Sequence, residues 1–262
     1  MPKISVIMGV YNTTKKEILK KSINSILNQT YKDFEFIICD DGSTDNTLKV
    51  IQEICKNEDR VIIIKNEKNR GLAYTLNKCL GIANGEYIAR MDADDESMPT
   101  RFEKQVEILE KNSDIDVVNC NINVFDDEGI YGERIYNENI TKKDFLLSNP
   151  IVHPAVMIRK KAYELVKNYR DIDITYRNED YDLFMRMQIK NIKMYTIQEK
   201  LFNFREDKNS YERRKYRYRI NEYKIKVENF KKLGLLPKYY IYCLKPLIVG
   251  IIPIRILKKI RN

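Results

Sequence analysis

Apolar residues recur with two different spacings along the first half of the chain. Short β-favouring runs over residues 4–8 and 34–39 predict two strands, and the helical spacing of apolar residues over 18–27 predicts a helix between them. The order then repeats, with a helix over 44–55 capped by Ser43 or Thr44, a strand over 61–65, a helix over 72–83 and a strand over 87–91. Strands that alternate with helices predict a parallel sheet covered by helices on both faces.

The alternation weakens in the second half. A helix is predicted over residues 99–111, a strand over 117–125 and a turn over 126–129. After this turn the clearest patterns are helical, over 180–189 and over the amphipathic segment 211–230. We interpret the intervening residues as an extension packed on the same sheet.

Polar and acidic residues follow the predicted strands at the points where the strands end. Tyr11 and Asn12 follow the first strand, residues 40–43 follow the second, and residues 92–95 follow the strand over 87–91. Ligands bind beyond the carboxyl ends of the strands in such sheets. The sequence therefore predicts a ligand site at this edge.

The composition predicts a globular protein of the reducing cytoplasm. Of its 262 residues 43% are hydrophobic, which is enough for a buried core. The five cysteines are an odd number and include no CxxC pair, which argues against a disulfide framework and a structural zinc site. The first residues do not resemble a signal peptide, and no run of roughly 20 apolar residues predicts a membrane-spanning helix.

The strongest chemical signal is Asp92-Ala93-Asp94-Asp95, directly after an apolar strand. Carboxylates at this spacing can place oxygen ligands around Mg²⁺ or Mn²⁺ and leave open positions for phosphate. The aspartates alone are explained equally well by an acidic turn before a solvated helix. A calcium-binding EF-hand loop is disfavoured, because Ser97 stands at its glycine position and Pro99 lies within it.

The segment over residues 40–45, Asp-Asp-Gly-Ser-Thr-Asp, allows two interpretations. One aspartate can accept hydrogen bonds from a nucleobase edge, while Gly42 lets the chain turn closely around a ligand. A helix-capping turn would use residues 43–45 equally well.

Six motifs occur in a characteristic order. They are Val6-Ile7-Met8-Gly9-Val10-Tyr11-Asn12, Ser25-Ile26-Leu27-Asn28-Gln29-Thr30-Tyr31, Asp40-Asp41-Gly42-Ser43-Thr44-Asp45, Asn69-Arg70-Gly71, Asn84-Gly85-Glu86-Tyr87-Ile88 and Asp92-Ala93-Asp94-Asp95. Together they closely resemble the family 2 glycosyltransferases. The detailed match covers about the first 110 residues, with weaker support to near residue 210, and the ordered set is more specific than any single motif.

The resemblance implies an α/β protein with the GT-A fold, in which helices flank a Rossmann-like, mostly parallel sheet. Residues 1–210 would form one domain, with a nucleotide-sugar-binding half over 1–110 and an acceptor-side half over 111–210. Residues 211–262 would form a helical, basic C-terminal extension. The implied activity is inverting transfer of a sugar from a nucleotide diphosphate, such as UDP, with Mn²⁺ or Mg²⁺ as cofactor.

The resemblance also implies roles for single residues on the nucleotide side. Tyr11 and Asp41 would contact the nucleobase, with Asp40 as a supporting contact. Arg70 would contact the base or a phosphate. The complete set implied for binding the nucleotide sugar is Val10, Tyr11, Asn12, Asp40, Asp41, Arg70, Asp92, Ala93 and Arg205.

For the metal and the chemistry, the resemblance implies that Asp94 is the main ligand, with Asp95 as the alternative, and that Asp92 meets the ribose or the metal. The family's catalytic base lies in an acidic pair that opens a helix, and Glu179-Asp180 is similar to that pair. We expect Asp180 to be the base and Glu179 the alternative. Local chemistry alone would favour a helix-capping role for both.

Two further positions are compared with the family. His153, the only histidine, lies where similar family members carry a histidine near the acceptor pocket, although a lone histidine is more often a packed or surface residue. The family commonly has an arginine followed by a histidine and a serine. This chain has Arg205 and Ser210 without a histidine between them, which leaves the role of that histidine unassigned.

The C-terminal residues 239–262 mix apolar runs with Lys245, Arg255, Lys258, Lys259 and Arg261. Such a segment is typical of a helix on an anionic membrane surface, which would suit a cytoplasmic enzyme at the inner face of the cell membrane. Packing on the body, or pairing in a homo-oligomer, explains it equally well. By family analogy, the membrane would supply a lipid-linked saccharide acceptor for capsule or O-antigen synthesis.

Two functions from other classes compete with this interpretation. A phospho-signalling receiver module would also bind Mg²⁺ through strand-end aspartates, but no later lysine at a strand end completes its site. A nucleic-acid-binding protein would use the basic, aromatic residues 211–223, but the predicted site edge is acidic and would repel phosphate. We therefore expect no nucleic-acid partner.

Overall fold

Ten strands and eight α-helices are present in the computed structural model, which describes residues 1–13, 15–206 and 215–252. The strands are β1 (Ile4–Val10), β2 (Phe34–Asp40), β3 (Val61–Lys65), β4 (Tyr87–Arg90), β5 (Glu96–Ser97), β6 (Ile115–Asp126), β7 (Gly129–Arg134), β8 (Asn139–Ile140), β9 (Met157–Arg159) and β10 (Lys193–Arg205). The helices are α1 (Lys16–Leu27), α2 (Thr47–Ile54), α3 (Leu72–Ile82), α4 (Arg101–Lys111), α5 (Lys160–Leu165), α6 (Glu179–Ile189), α7 (Tyr216–Lys232) and α8 (Tyr240–Ile251).

The strands form one sheet in the order β3-β2-β1-β4-β9-β6-β10-β5, with β7 on β6 and β8 on β10. Parallel pairs join β1 to β2, β1 to β4, β2 to β3 and β6 to β10. The short strand β9 runs antiparallel to both of its neighbours, so β4 and β6 still point the same way. The carboxyl ends of β1, β2 and β4 therefore lie at a common edge.

Side-chain alternation along the strands divides the core into two clusters, one on each face of the sheet. On β1, Ile7 belongs to the cluster that also contains buried residues of α3 and α6. Its neighbours Val6 and Met8 belong to the other cluster, which contains Ile23 of α1 and Leu109 of α4. This is the mostly parallel, two-sided sheet that the alternation of apolar runs predicts.

The predicted start of α2 at Thr44 is wrong, because α2 begins at Thr47. Neither of the expected caps binds the helix. The Ser43 hydroxyl accepts the backbone N–H of Asn12 at 3.0 Å, and the Thr44 backbone N–H donates to Asn12 Oδ1 at 2.9 Å. The carboxylate of Asp45 instead accepts the Thr47 N–H at 2.9 Å. These residues tie the loop after β2 to the loop after β1.

Strand β10 was not predicted, although it is the longest strand, with 13 residues. Its parallel register with β6 shifts between Ile197 and Lys200 and again before Phe202. The polar residues 198–200 fall in this irregular part and interrupt the alternation of apolar residues. A pattern of period two is therefore absent from the middle of the strand.

Helices α7 and α8 pack on each other, and α7 also contacts α6 and the short 3₁₀ turn Asp173–Thr175. The amino-terminal part of the predicted amphipathic helix, over 211–214, and the basic residues 253–262 lie outside the described residues, as does Ser210. Within the described ranges, no helix is long and apolar enough to cross a bilayer.

Candidate active site

A wide cleft of about 2410 Å³ opens at the carboxyl ends of β1, β2 and β4. The amino end of α6 forms part of its opposite wall. The predicted site residues on its surface are Val10, Tyr11, Asp41, Asp92, Asp94, His153, Glu179 and Asp180. The structure thus brings the aspartates that follow β4 and the acidic pair that opens α6 into one space. Among the predicted residues within the described ranges, those that do not line the cleft are Asn12, Asp40, Arg70, Ala93, Asp95 and Arg205.

The carboxylate of Asp41 organises the end of the cleft where the sequence predicts the nucleotide, hereafter the nucleotide side. Its Oδ1 accepts hydrogen bonds from Asn66 Nδ2 at 2.7 Å and from the Arg70 backbone N–H at 2.9 Å. Its Oδ2 accepts the Gly71 N–H at 2.8 Å. Asp41 therefore holds the loop that leads into α3. Because a carboxylate oxygen has two lone pairs, Oδ2 retains capacity for a ligand donor such as a nucleobase N–H.

Gly42 packs against the protein's own backbone, where the sequence analysis expected a ligand. Its φ is +67°, and a Cβ at this position would lie 2.4 Å from the carbonyl carbon of Lys68. Only glycine tolerates both conditions. The close approach brings the turn after β2 against the segment that contains Arg70 and Gly71, which Asp41 binds.

Val10 and Asp40 support this turn from the strand ends. The Val10 carbonyl accepts the Asp41 N–H at 2.8 Å, and Asp40 Oδ2 accepts the Ser43 N–H at 3.2 Å. Both side chains are buried. They therefore shape the backbone of the site.

Tyr11 and Arg70 are both exposed on the nucleotide side, but their side chains point to different surroundings. Tyr11 lies on the surface of the cleft. The guanidinium carbon of Arg70 lies 4.2 Å from the ring centroid of Tyr74, a cation–π contact. Arg70 thus contributes its backbone N–H to the Asp41 network while its side chain stacks beside the cleft.

The three aspartates after β4 form a cluster of carboxylates. One oxygen of each of Asp92, Asp94 and Asp95 lies within 4.8 Å of the others. The Ser22 hydroxyl donates to the Asp92 carbonyl at 2.7 Å and so fixes this loop to α1. Carboxylate oxygens at this spacing are the donor set that Mg²⁺ and Mn²⁺ prefer.

Proton affinity is raised within this cluster. Desolvation, followed by the charge of Asp92, raises the pKa of Asp94 to about 6. The Asp94 side chain is exposed to the cleft, so water reduces the effect of desolvation and the charge of Asp92 has the larger influence. Burial, followed by the charge of Asp92, also raises the pKa of Asp95 well above its usual value. A bound divalent cation would relieve this repulsion, so the residues present fit a metal.

Asp95 also ties the cluster to the end of β10. Its Oδ1 accepts the Arg205 backbone N–H at 2.7 Å, whereas its buried Oδ2 has no hydrogen-bond partner in the part of the chain that the structure describes. The Arg205 side chain pairs with Asp127 at 2.7 Å and lies over the ring of Phe125. The donor contact predicted for Arg205 stays a prediction.

The amino end of α6 carries the acidic pair on the opposite side of the cleft. Asn149 Nδ2 donates a hydrogen bond to Asp180 Oδ2 at 2.8 Å. Burial raises the pKa of Asp180, and the Asn149 hydrogen bond opposes that shift. Glu179 Oε1 accepts the backbone N–H of Arg177 at 3.0 Å, and burial raises its pKa as well. Of the two, Glu179 is the more buried.

His153 forms part of the cleft wall and is nearly buried. Its Nε2 lies 2.6 Å from the hydroxyl oxygen of Tyr169, and its ring packs edge-on against Phe184. Burial lowers the pKa of His153 well below 6.5. The ring is therefore neutral near pH 7 and presents an uncharged surface to the cleft.

Arg90 was not among the predicted site residues, although its charge acts on both acidic groups of the cleft. Its side chain is only 1% exposed, and its Nη2 pairs with Asp92 Oδ1. It counters the upward pKa shift that burial causes in Asp94 and in Asp180. The available signal was a single cation at the end of an apolar strand, two positions before Asp92.

The sequence analysis also missed Asn149 and Asn66, the amide partners of Asp180 and Asp41. They lie 31 and 25 positions from those aspartates, respectively. No local pattern marks an asparagine whose partner is brought to it by the fold.

Solved structures identify the class of this fold. The chain superposes on S. aureus TarS in complex with UDP-GlcNAc with a TM-score of 0.73 and 16% identity, covering 93% of this chain and 73% of that one. It also superposes on the mannosyltransferase PcManGT from Pyrobaculum calidifontis, in complex with GDP-Man and Mn²⁺, with a TM-score of 0.63 and 16% identity, covering 95% and 75% of the two chains. The fold is that of the GT-A class.

Sequence relatives narrow the class to a family. Residues 5–166 match the family model "Glycosyl transferase family 2". The chain is 40% identical over 259 residues to "Putative glycosyltransferase EpsE" of Bacillus subtilis (strain 168), covering 98% of this chain and 92% of the relative. It is 41% identical over 110 residues, 42% of each chain, to the Escherichia coli "UDP-Glc:alpha-D-GlcNAc-diphosphoundecaprenol beta-1,3-glucosyltransferase WfaP". The chain belongs to the family 2 glycosyltransferases.

Membership of this family confirms the resemblance stated from the six motifs, and with it the GT-A fold. The receiver-module and nucleic-acid alternatives are not favoured. The chain is a glycosyltransferase.

Proposed function

We propose that the protein is an inverting glycosyltransferase that moves a sugar from a nucleotide diphosphate, UDP in particular, to a hydroxyl of a saccharide acceptor. The observation that carries this proposal is the shared cleft. Asp92 and Asp94 lie at its donor side, and Asp180 lies at the amino end of α6 on the other side. A donor bound at Asp92 and Asp94 would meet an acceptor bound beside Asp180. Asp180 would then lie close to the acceptor hydroxyl.

Asp94 and Asp92, with Asp95 as the alternative ligand, would hold Mn²⁺ or Mg²⁺. The bound metal would neutralise the charge that develops on the leaving diphosphate. Two observations support this assignment: the close carboxylate oxygens and the raised pKa of Asp94. PcManGT, which shares the fold, has a structure with Mn²⁺.

Asp180 would act as the general base. Its carboxylate takes the proton from the acceptor hydroxyl as that oxygen attacks the anomeric carbon from the face opposite the diphosphate. One displacement of this kind inverts the configuration. The Asn149 amide holds Oδ2 of the Asp180 carboxylate in place. Glu179 is the alternative base, but its Oε1 is already bound to the Arg177 backbone.

The nucleotide would bind at the opposite end of the cleft. Tyr11 offers an exposed ring to the nucleobase, and Asp41 Oδ2 can accept a further hydrogen bond from the nucleobase. Asp40, Asn12 and Val10 act on this contact through the turn that they shape. Arg70 and Arg205 would contact phosphate or base after their side chains leave Tyr74 and Asp127.

The acceptor that we propose is a lipid-linked saccharide in cell-surface polysaccharide synthesis. The name of WfaP specifies a sugar linked through a diphosphate to undecaprenol as its acceptor. His153 would form part of the acceptor pocket, where its neutral ring adds no charge.

A membrane surface would supply that acceptor, and α8 is the element that would lie on it. Ile241, Ile248 and Ile251 are exposed on α8, while Pro246 and Val249 of the same helix line the cleft. After Glu228 the chain carries no acidic residue and eight lysines and arginines, which complements an anionic bilayer. The protein would then work at the cytoplasmic face of the cell membrane.

Transfer and binding assays on two variants test the catalytic proposal. Asp180→Asn is expected to abolish transfer while donor binding with Mn²⁺ stays nearly intact, because the base acts only in the chemical step. Asp94→Asn is expected to weaken both sugar transfer and donor binding with Mn²⁺. A thermal-shift panel of UDP-, GDP- and TDP-sugars identifies the donor for these assays. Normal turnover by the Asp180→Asn protein would remove Asp180 from the base role.

Sedimentation with lipid vesicles tests the membrane proposal. The full chain is expected to sediment with vesicles that contain anionic lipid and to be released by salt. Replacing Ile241 and Ile248 by Ser should weaken this binding. Ile62 is an exposed isoleucine of β3 outside the cleft lining and provides the matched control, Ile62→Ser. Equal binding by all three proteins, or none by the wild type, would contradict the proposal.

A further inference from the structure

Two tyrosines and two arginines form an aromatic and cationic rim beside Asp180. This rim consists of Tyr176, Arg177, Arg217 and Tyr218. The rings of Tyr176 and Tyr218 lie 5.6 Å apart between centroids with an angle of 40° between their planes. Tyr176, Arg177 and Tyr218 line the same cleft as Asp180. The rim therefore borders the space in which the acceptor must bind.

The two arginines of the rim make no ion pair with a described carboxylate, although the charge of Arg177 opposes the rise that burial causes in the pKa of Glu179. Their guanidinium groups lie over the tyrosine rings, with the carbon of Arg177 at 5.8 Å from the Tyr176 centroid and that of Arg217 at 5.1 Å from the Tyr218 centroid. Both side chains are exposed, and neither makes an ion pair within the described ranges. Arg219 on the same helix, by contrast, pairs with Glu222 at 3.1 Å. Two positive charges thus face solvent beside the cleft.

Backbone strain at Arg177 and two side-chain hydrogen bonds accompany the placement of the rim. Arg177 has a φ of +68°, a left-handed conformation that is unfavourable for a residue with a Cβ. Its N–H donates to Glu179 Oε1, so the strained residue is joined to the acidic pair. Asn178 Nδ2 donates to the Tyr218 carbonyl at 3.4 Å, and Asn221 Nδ2 donates to the Asp173 carbonyl at 2.9 Å. These bonds fix the segment before α6 against the first turns of α7.

Tyr176 also reaches toward the donor side of the cleft. Its Cε2 lies 3.6 Å from the position that a Cβ on Gly71 would occupy. Gly71 belongs to the loop that Asp41 holds. The Tyr176 ring therefore lies against the loop that Asp41 holds and lines the cleft that also contains Asp180.

We propose that this rim is an acceptor subsite for an anionic saccharide. The tyrosine rings offer flat, apolar faces to a sugar ring, and the guanidinium groups bind the oxygens of an anionic group. Guanidinium forks match both phosphate and carboxylate geometry. The anion is therefore either the diphosphate that links the acceptor to a lipid or a carboxylate of an acidic saccharide. This inference rests on the proposed transferase activity and adds the chemical class of its acceptor.

Calorimetric titration of the full chain with UDP and Mn²⁺ present tests this subsite with three probes. They are N-acetylglucosamine linked through a diphosphate to a short prenyl chain, the neutral octyl N-acetylglucosaminide, and the anionic octyl glucuronide. The wild type is expected to bind one of the two anionic probes about tenfold more tightly than the neutral one. The preferred probe distinguishes the diphosphate from the carboxylate as the source of the anion.

Single substitutions in the rim test whether its arginines cause the preference for the anionic probe over the neutral one. Arg177→Gln and Arg217→Gln are each expected to reduce it about tenfold, whereas Arg177→Lys retains part of it because the charge remains. Lys56→Gln removes an exposed charge outside the cleft lining and serves as the matched control, with an expected change below about twofold. Thermal unfolding of each variant verifies that it is folded.

Equal affinity of the wild type for neutral and anionic probes would overturn the inference, and so would an undiminished preference in both glutamine variants. UDP titration in the same experiment separates this outcome from a failure of the proposed function. A wild-type protein that binds UDP with Mn²⁺ but shows no anion preference loses only the subsite. A wild-type protein that does not bind UDP loses the proposed function itself.

Discussion

Two opposing effects act on the carboxylate of Asp180, which we propose as the general base. Burial raises the pKa of Asp180, which favours its protonated form, while the amide of Asn149 stabilises the charged form. The two effects oppose each other at one side chain. A base must be unprotonated to act, so activity is expected to fall as the pH falls through the raised pKa of Asp180.

Removing the Asn149 amide should therefore move the acidic limb of the pH profile upward. In Asn149→Ala, the charged form of Asp180 loses its donor, its pKa rises further, and the limb in kcat/KM shifts up by about 1 pH unit. Above that limb the rate should approach the wild-type value. Superimposable acidic limbs in the two proteins would show that Asn149 does not act on the base.

At the scale of elements, the strength of the local pattern decided what could be predicted. Strands β1, β2 and β4 are short runs of mostly buried residues, and their ends located Asp41 and the Asp92 cluster correctly beside a common edge. The start of α2 was misplaced because Ser43 and Thr44 bind Asn12, a partner that only the fold supplies. For the same reason, no sequence pattern pointed to Asn149.

Strand β10 could not be predicted from the sequence for a different reason. Its register shifts against β6 coincide with exposed polar residues in the middle of a partly buried strand, which conceals the period of two. Parallel pairing with β6 across nearly its whole length, and not local propensity, makes this segment a strand.

Gly42 gives a prediction at the scale of the turn. Gly42→Ala should cost about 2 to 4 kcal/mol of stability, because it combines a left-handed φ with a Cβ placed 2.4 Å from the Lys68 backbone. Denaturant unfolding measures the loss. UDP affinity should also fall, since the displaced turn carries Asp41.

Gly234 provides the matched control for this prediction. It has the same φ of +67°, but a Cβ there would have no neighbour within 4 Å. Gly234→Ala should therefore lower stability only through the strain of the left-handed φ, by about 1 to 2 kcal/mol, and leave UDP affinity unchanged. Equal losses in the two variants would show that the contact with Lys68 is not tight.

At the scale of the whole molecule, ion pairs join the C-terminal helices to α6, the helix that carries the proposed base. Asp182 of α6 is fully buried. Its carboxylate pairs with Arg170 and Arg186 and accepts a hydrogen bond from Asn229, which lies on α7. Arg170 also pairs with Glu228 of α7 at 2.9 Å. The network fixes α7, and with it the rim and α8, relative to the amino end of α6.

Asp180 and Asp182 should therefore respond differently to the same substitution. Asp182→Asn removes the carboxylate from two arginines and should destabilise the protein by about 3 kcal/mol in denaturant unfolding. Asp180→Asn should change stability by less than about 1 kcal/mol, because Asp180 has a single side-chain partner. Comparable stability losses in the two variants would contradict the division into a structural and a catalytic aspartate.

The central claim is that the aspartate cluster after β4 binds a nucleotide diphosphate through a divalent metal. Titration of UDP into the wild type and Asp94→Asn, each with and without Mn²⁺, tests it most directly. We expect Mn²⁺ to tighten UDP binding to the wild type by about tenfold or more, and to have little effect on Asp94→Asn. UDP affinity that does not depend on Mn²⁺ in the wild type would contradict the claim.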